Sequence, residues 1–260
     1  MNSKSKAQQV FGEHAPQYAS SSVHVRDDSL DIIEEFLGDT KYNITMDIGT
    51  GAGFTALSLS KFSTLVIASD PTSQMLQQAY NAYSNKNIKN ISIVQNIAEQ
   101  IPIKDGIVDL ITCRKAGHHF PNFKSYLEES HRILRNNGTL IIADSVSPED
   151  LEAEKWLNDI ELQRDLSHIY NRTPTNIKNL LQNAGFQLQC EKTTRIYLQF
   201  NNWVARTGVN TQNINSLKQQ FTEASTSIKE QFQIQNSDND ISFSWPCLVV
   251  KCAKMTKTTR

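Results

Sequence analysis

Cysteine is scarce. The chain has four, at positions 113, 190, 247 and 252, and no two show the C-x-x-C spacing of a zinc or redox site. The thiols read as reduced, mostly buried side chains of a cytoplasmic protein, and no metal site is expected. No sign of charge is in excess: 26 Lys and Arg against 27 Asp and Glu give a net charge of −1. That excludes the basic footprint of a nucleic-acid binder and of a polybasic membrane-surface protein. Long apolar runs are missing too. Stretches such as 65–68 are strand-sized, far short of the ~20 residues that span a bilayer. No apolar run follows the lysines near the start, so no secretory signal is expected. Glycine is limited to ten residues in 260, yet Gly49, Gly51 and Gly53 fall within five positions.

Around that cluster the chain alternates between short apolar segments and amphipathic ones. Strands are expected at 44–48, 64–69, 91–95, 107–113 and 139–143, with helices at 53–61, 72–84 and 122–134 between them. This β-α-β-α order implies an α/β fold with a doubly wound, mainly parallel sheet. The strands are continuous apolar runs, as expected for strands covered on both faces. Before this region, helices are expected at 5–13 and 30–37, the second capped by Asp27 and stopped by Gly38. Asn136-Asn-Gly138 reads as a turn. After Asp144 the pattern relaxes: a helix from Pro148 to about 162, a loop at 163–173, a helix from Thr173-Pro-Thr to Ala184-Gly185, a strand within 187–200, a helical stretch at 201–236 and a last strand at 241–252. Cys113 reads as a buried strand end and His131 as a surface residue.

The glycine cluster closes the first strand and opens the first core helix, as Met46-Asp47-Ile48-Gly49-Thr50-Gly51-Ala52-Gly53-Phe54. Glycines there let the backbone turn sharply and approach a ligand closely. A dinucleotide fingerprint needs G-x-G-x-x-G, whereas here the third glycine comes one position early. A nicotinamide oxidoreductase is therefore disfavoured. The pattern resembles motif I of the class I S-adenosylmethionine-dependent methyltransferases, D-x-G-x-G-x-G. The resemblance implies a Rossmann-like, doubly wound seven-stranded sheet, S-adenosylmethionine as cofactor, and contacts from Asp47, Gly49, Thr50, Gly51 and Gly53.

The second strand ends Ser69-Asp70-Pro71, where an acidic residue can accept both ribose hydroxyls in charge-assisted bonds of about 1.5–3 kcal/mol each. In that family Met75 is similar to the apolar residue that leans on the adenosine. The stretch Gln95-Asn96-Ile97-Ala98-Glu99-Gln100-Ile101-Pro102 resembles the family's G-D-A-E-x-L-P segment around the adenine. Ile97 stands where the family has an acceptor for the adenine amino group, a loss of about 0.5–1.5 kcal/mol, for which Asn96 or a backbone carbonyl can substitute. The fourth strand continues into Cys113-Arg114-Lys115-Ala116-Gly117-His118-His119-Phe120, which resembles the C-R-x-A-x-H-H-F run of a small-molecule branch related to ubiquinone and menaquinone biosynthesis methyltransferases. Phe11-Gly12, Ala15, Tyr18, Val23-His24 and the later Arg164-Asp165 with Ser167-His168 fit the same branch.

Ligands of open α/β sheets sit beyond the carboxyl ends of the strands. The resemblance thus implies one domain over 1–260: an N-terminal helical lid at 1–40, a cofactor-binding core at 41–145, lid insertions at 146–173 and 201–240, and sheet completion at 174–200 and 241–252. Strand six is expected parallel to the core and strand seven antiparallel. Tyr18 and Arg114 join the cofactor residues. His24, Arg26, Arg164, Asp165, His168, Trp203 and Arg206 are expected at the substrate. His119 and His118 are the candidate bases, because imidazole titrates near neutral pH. The expected reaction is in-line methyl transfer to a small organic acceptor, with no nucleic-acid or membrane partner and with the oligomeric state, a homodimer included, left open. Two readings compete: a fold relative using the cofactor for another reaction such as cyclisation, and a non-catalytic binding protein.

Overall fold

Strand β4 (Val108–Arg114) is buried along its whole length: its middle, Leu110-Ile111-Thr112-Cys113, suits a place between two helical layers, and the charged Asp109 and Arg114 near its ends are held by partners. The computed structural model, which describes residues 5–19 and 26–256, places it at the centre of one sheet. β1 (Tyr42–Ile48), β2 (Ser63–Asp70), β3 (Ile91–Gln95) and β5 (Leu134–Ser145) lie parallel to it. β8 (Ile241–Lys254) is antiparallel to β5 and to β6 (Phe186–Gln199), so β6 runs with the core strands. The order is β3-β2-β1-β4-β5-β8-β6. A two-residue strand, β7 (Gln235–Asn236), pairs with β8 and makes an eighth. The strand order reverses between β1 and β4, the position at which such sheets open a crevice.

Alternation along the strands fills two apolar layers. Met46, Ile111, Cys113, Leu140 and Ile142 face one side, against Phe123, Tyr126 and Leu127 of α5 (Phe123–Ile133) and Ile177 and Leu181 of α7 (Pro174–Asn183). Val66, Leu110, Ile141 and Val249 face the other, against α2 (Asp28–Leu37), α3 (Phe54–Leu59) and α4 (Ser73–Asn85). α2 starts at its expected cap: Asp27 accepts the Leu30 N–H.

β6 and β8 are each 14 residues long and remain paired from Phe186–Lys254 through Gln199–Ser242. Their far ends carry a separate aromatic core. Trp203 of α8 (Phe200–Ala205), Phe221 of α9 (Thr211–Glu223), Ile228 of α10 (Thr226–Gln231) and Leu157 of α6 (Leu151–Arg164) pack there with Phe243 and Trp245. These helices cover the far ends of β6 and β8. α1 (Lys6–Ala19) seats Phe11, Ala15 and Tyr18 on Met75.

Four local expectations change. Asn136-Asn-Gly138 lies inside β5, where Asn137 takes φ 58° and the pairing with β4 shifts register, so the segment is a bulge. The stretch 201–236 holds three helices, separated around Gly208 and at Ser225, the latter capping α10, and ends in the short strand β7. α1 continues through Pro16 because its second half is buried against α4, and packing overrides the proline penalty. His131 is half-buried, its ring 5.5 Å from that of Phe186. Among the described residues no helix is long and apolar enough to cross a membrane.

Candidate active site

The loop after β1 turns by left-handed glycines, with Gly51 at φ 54° and Gly53 at φ 88°. A Cβ on Gly53 would stand 2.1 Å from the Tyr83 hydroxyl, whereas one on Gly51 would meet nothing within 4 Å. Gly53 is therefore required for packing, and Gly51 faces open space. The loop is pinned from beneath. Asp47 accepts Thr50 Oγ1–H at 2.7 Å and Thr112 Oγ1–H at 2.6 Å, and burial pushes its carboxyl up to about 6. From the side, Asp70 accepts the Gly51 N–H at 3.0 Å on one oxygen and the Thr72 N–H at 2.8 Å on the other. Each oxygen keeps further acceptor capacity. Burial raises the Asp70 carboxyl.

These groups open into a cavity of about 670 Å³, within the roughly 300–1,000 Å³ of small-molecule sites. On the β2–β3 side its wall holds Pro71, Met75, Asn96, Ile97 and Ala98. Asn96 donates through Nδ2 to the Ile97 carbonyl at 2.8 Å, while its Oδ1 is buried with no partner among the described residues. That orphaned acceptor, beside Asp70 and a glycine loop with room over Gly51, fits an adenosine: ribose at Asp70, exocyclic amine at Asn96. Ile97 is 47% exposed at the rim.

Arg114 closes the centre of the wall. Its Nε donates to Thr55 Oγ1 at 2.9 Å and its Nη1 to Asp27 Oδ1 at 3.1 Å. Asp27 Oδ2 pairs with Lys115 Nζ at 2.5 Å. Burial works against the Asp27 charge, but Lys115 and then Arg114 outweigh it and hold its pKa below the usual range. The helix cap expected of Asp27 is thus also a tie between the N-terminal segment and the end of β4.

After β4 a single 3-10 turn, Gly117–His119, presents two imidazoles to the cavity. His118 Nδ1 lies 2.6 Å from Asp144 Oδ1, and the His118 backbone N–H donates to Asp144 Oδ2 at 2.9 Å. Burial disfavours the imidazolium, yet Asp144 prevails and raises the His118 pKa; in turn Asp144 is held low despite its burial. Asp144 is acceptor-only, so Nδ1 keeps its proton and Nε2 is the basic atom. His119 differs. Its Nδ1 donates to the Ser167 carbonyl at 3.1 Å, and burial together with His118 drives its pKa down to about 3. The two adjacent rings therefore stand in opposite electrostatic surroundings.

On the β6–β8 side, Tyr18, Arg164, Trp203 and Arg206 complete the wall with Glu161 and Trp245. Arg164 grips Glu161 Oε2 through Nε at 3.0 Å and Nη2 at 2.8 Å and lies 5.0 Å over the Trp203 ring. Burial raises the Tyr18 hydroxyl to about 12 and, with Arg164 beside it, lowers Arg206 to about 10.

Several expected contacts fall elsewhere. Asp47 and Gly53 sit behind the loop and not on the cavity wall, because their partners are Thr50, Thr112 and Tyr83. Asp165 is buried behind Ser167, whose N–H and hydroxyl it accepts at 2.8 and 2.5 Å. His168 likewise stands behind the wall, with Nε2 3.0 Å from Asn158 Oδ1. Arg26 turns outward to Glu34 and Asp31. His24 lies outside the described residues. Asp144, Glu161 and Lys115 escaped the sequence reading. For Asp144 a signal existed: it ends a strand beside β4, where a parallel neighbour brings its side chain to the same edge.

A methyltransferase-domain family model matches residues 46–142, the span from the glycine loop to β5. The Bacillus subtilis protein YcgJ, named as an uncharacterized methyltransferase, is 26% identical over 246 residues, covering 94% of this chain and 97% of its own length. Its crystal structure superposes with a TM-score of 0.84 over 88% of this chain and 99% of that one. Escherichia coli YafE, named as an uncharacterized protein, is 30% identical over 171 residues, 66% of this chain and 83% of YafE. Glycine loop, Asp70 carboxylate, strand order and these relatives agree: the chain belongs to the class I S-adenosylmethionine-dependent methyltransferases.

Proposed function

We propose that the protein transfers a methyl group in line to a small organic acceptor held beneath the helical lid, and that His118, oriented by Asp144, takes the acceptor's proton. The observation that carries this reading is the His118–Asp144 pair on the wall of the same cavity that the glycine loop and Asp70 enter. Bound S-adenosylmethionine supplies an electrophilic methyl carbon on a positively charged sulfur, a good leaving group.

The chain's residues then have separable tasks. Asp70 and Asn96 hold the nucleoside. Arg114 and the glycine loop shape the space between that end and the turn at 117–119. Tyr18, Trp203 and Trp245 exclude water from the acceptor side. Their joint effect is alignment, which needs reacting atoms about 3–3.5 Å apart. His118 Nε2 accepts a proton where an acceptor hydroxyl, amine or acidic carbon must lose one, a contribution of about 10²–10⁴-fold.

A near-zero net charge and an enclosed site favour a small acceptor over a polyanion lying on the surface. The H-H-F run supports kinship with methyltransferases of small quinone-type precursors. Incubation with methyl-labelled S-adenosylmethionine and a metabolite extract tests the reading. Label should enter a low-mass product one methyl group heavier than its precursor, and S-adenosylhomocysteine should accumulate. Label confined to protein or nucleic acid would defeat the small-acceptor reading.

A further inference from the structure

We infer that His119 Nε2 accepts a hydrogen bond from the methyl acceptor, which therefore carries a hydroxyl or N–H group beside the atom that His118 deprotonates. This rests on the methyl-transfer reading above and narrows its substrate class. The two imidazoles leave one 3-10 turn side by side, with ring centroids 4.1 Å apart and planes tilted by 46°, and both line the cavity. A molecule whose nucleophilic atom rests on one ring brings its neighbouring substituent to the other.

The partners of Nδ1 decide which nitrogen of His119 is available. Nδ1 is turned toward Ser167, 3.1 Å from its carbonyl oxygen and 3.2 Å from its hydroxyl oxygen. The Ser167 hydroxyl donates its own proton to Asp165 Oδ1 at 2.5 Å. Both oxygens facing Nδ1 are thus acceptors, and Nδ1 carries the hydrogen. Ser167 is held beside the ring from two sides. Its N–H donates to Asp165 Oδ1 at 2.8 Å, and the Ile169 and Tyr170 N–H groups donate to the His118 carbonyl at 2.9 and 3.1 Å. Nε2 is left with a lone pair, and among the described residues it has no hydrogen-bond partner. Burial, with the neighbouring His118 adding to it, disfavours a second proton on this ring.

The surroundings say what can cover that lone pair. Phe11 stands edge-on to the His119 ring, with centroids 4.8 Å apart and planes at 87°. Phe120, Trp203 and Trp245 lie on the same cavity wall, which suits a planar, apolar body. A ligand that covers Nε2 with a methyl group buries an acceptor bare, and a carboxylate sets lone pair against lone pair. A hydroxyl or an uncharged amine supplies the missing donor, and a site built around such a bond rejects analogues that lack it.

The test uses the protein loaded with S-adenosylhomocysteine and three phenols of one shape: catechol, 2-aminophenol and 2-methylphenol. Nitrogen-15 NMR of labelled histidine reads the ring, and calorimetry reads binding. His119 should show a protonated Nδ1 and a bare Nε2, and the Nε2 signal should move when catechol or 2-aminophenol binds. Both should bind about two- to tenfold tighter than 2-methylphenol, the worth of one hydrogen bond. His119→Phe should abolish that preference. His119→Gln, which returns an acceptor oxygen near the Nε2 position, should restore part of it, with S-adenosylhomocysteine affinity kept in both variants. A protonated Nε2, equal binding of the three phenols, no binding of any, or a preference that survives in His119→Phe overturns the inference. So does a loss of S-adenosylhomocysteine affinity in a folded His119→Phe, which would assign Nε2 to the cofactor's own ammonium. Failure of the wild-type protein to bind S-adenosylhomocysteine would instead strike the methyl-transfer reading itself.

Discussion

His118 and Asp144 meet twice: the imidazole Nδ1 stands 2.6 Å from one carboxylate oxygen, and the His118 backbone N–H donates to the other at 2.9 Å. Twenty-six positions separate them in the chain, but β4 and β5 are parallel neighbours that end at the same edge. The double contact fixes ring and turn together, leaving Nε2 as the proton acceptor.

The pair predicts opposite behaviour for two adjacent histidines. Asp144 favours the imidazolium, so the His118 pKa lies above its ordinary value of about 6.5. Asp144→Asn removes that charge, and the His118 titration should move to lower pH. His119, pushed down to about 3, should remain neutral at every pH the fold tolerates. Histidine ring NMR across a pH series reads both. In turnover, Asp144→Asn and His118→Ala should each cost about 10²–10⁴-fold. His119→Asn should leave the acid limb of the pH profile in place. A titrating His119 beside a silent His118 would reverse the assignment.

The glycine loop separates stability from binding. Gly53→Ala must displace Tyr83, whose hydroxyl would be 2.1 Å from the new Cβ, at a φ of 88°. Gly51→Ala meets only the backbone penalty of a left-handed residue, about 1–2 kcal/mol. Denaturant melts should therefore show the larger loss for Gly53→Ala. Calorimetry should show the larger loss of S-adenosylhomocysteine affinity, relative to stability, for Gly51→Ala, because Gly51 lines the cavity.

Asp27 carries a pH-dependent part of the stability. Its carboxylate faces Arg114 and Lys115, whose side chains are 5% and 7% exposed. Removing one member of a buried charge cluster costs on the order of 3 kcal/mol, so Asp27→Asn should lower the unfolding free energy by about that much at neutral pH. The folded pKa is depressed. The contribution is therefore complete above the unfolded value of about 3.9 and disappears as pH falls through the folded one. Wild type and Asp27→Asn should differ at pH 7 and converge in acid. A constant gap would show that the cap geometry, not the charge, is what Asp27 supplies.

Local signals explain which parts of this molecule were legible. Gly49, Gly51 and Gly53 fall within five positions, Asp70 ends a strand of eight residues, and β2, β4 and β5 carry short apolar runs, so both the cofactor side and the core of the sheet could be read along the chain. The acceptor side could not. Asp144, Glu161 and Lys115 act through partners that only the folded sheet edge and lid bring near. Asp47 is instructive in the opposite sense. Its position in the glycine motif was plain, but the threonines that turn it beneath the loop, Thr50 and Thr112, include one from a different strand. Likewise His119 and His118 are indistinguishable by type and position. Only Ser167 beside one and Asp144 beside the other separate a ring of lowered pKa from one of raised pKa.

The adenine end offers a compensating pair. Asn96 Oδ1 is buried without a partner among the described residues, and the next residue, Ile97, stands where the resemblance in sequence implies an acidic acceptor. If Asn96 receives the exocyclic amine, Asn96→Ala should weaken S-adenosylhomocysteine by one neutral hydrogen bond, about 0.5–1.5 kcal/mol or roughly two- to tenfold. Because Ile97 is 47% exposed, Ile97→Asp should cost little stability and should tighten binding by a similar factor. The double variant decides the matter. With one amine to share, the gain from Ile97→Asp should be larger on the Asn96→Ala background than on the wild type, a non-additivity that a calorimetric double-mutant cycle measures. Strict additivity would mean that the two side chains serve different atoms and that Asn96 only braces the loop through its bond to the Ile97 carbonyl.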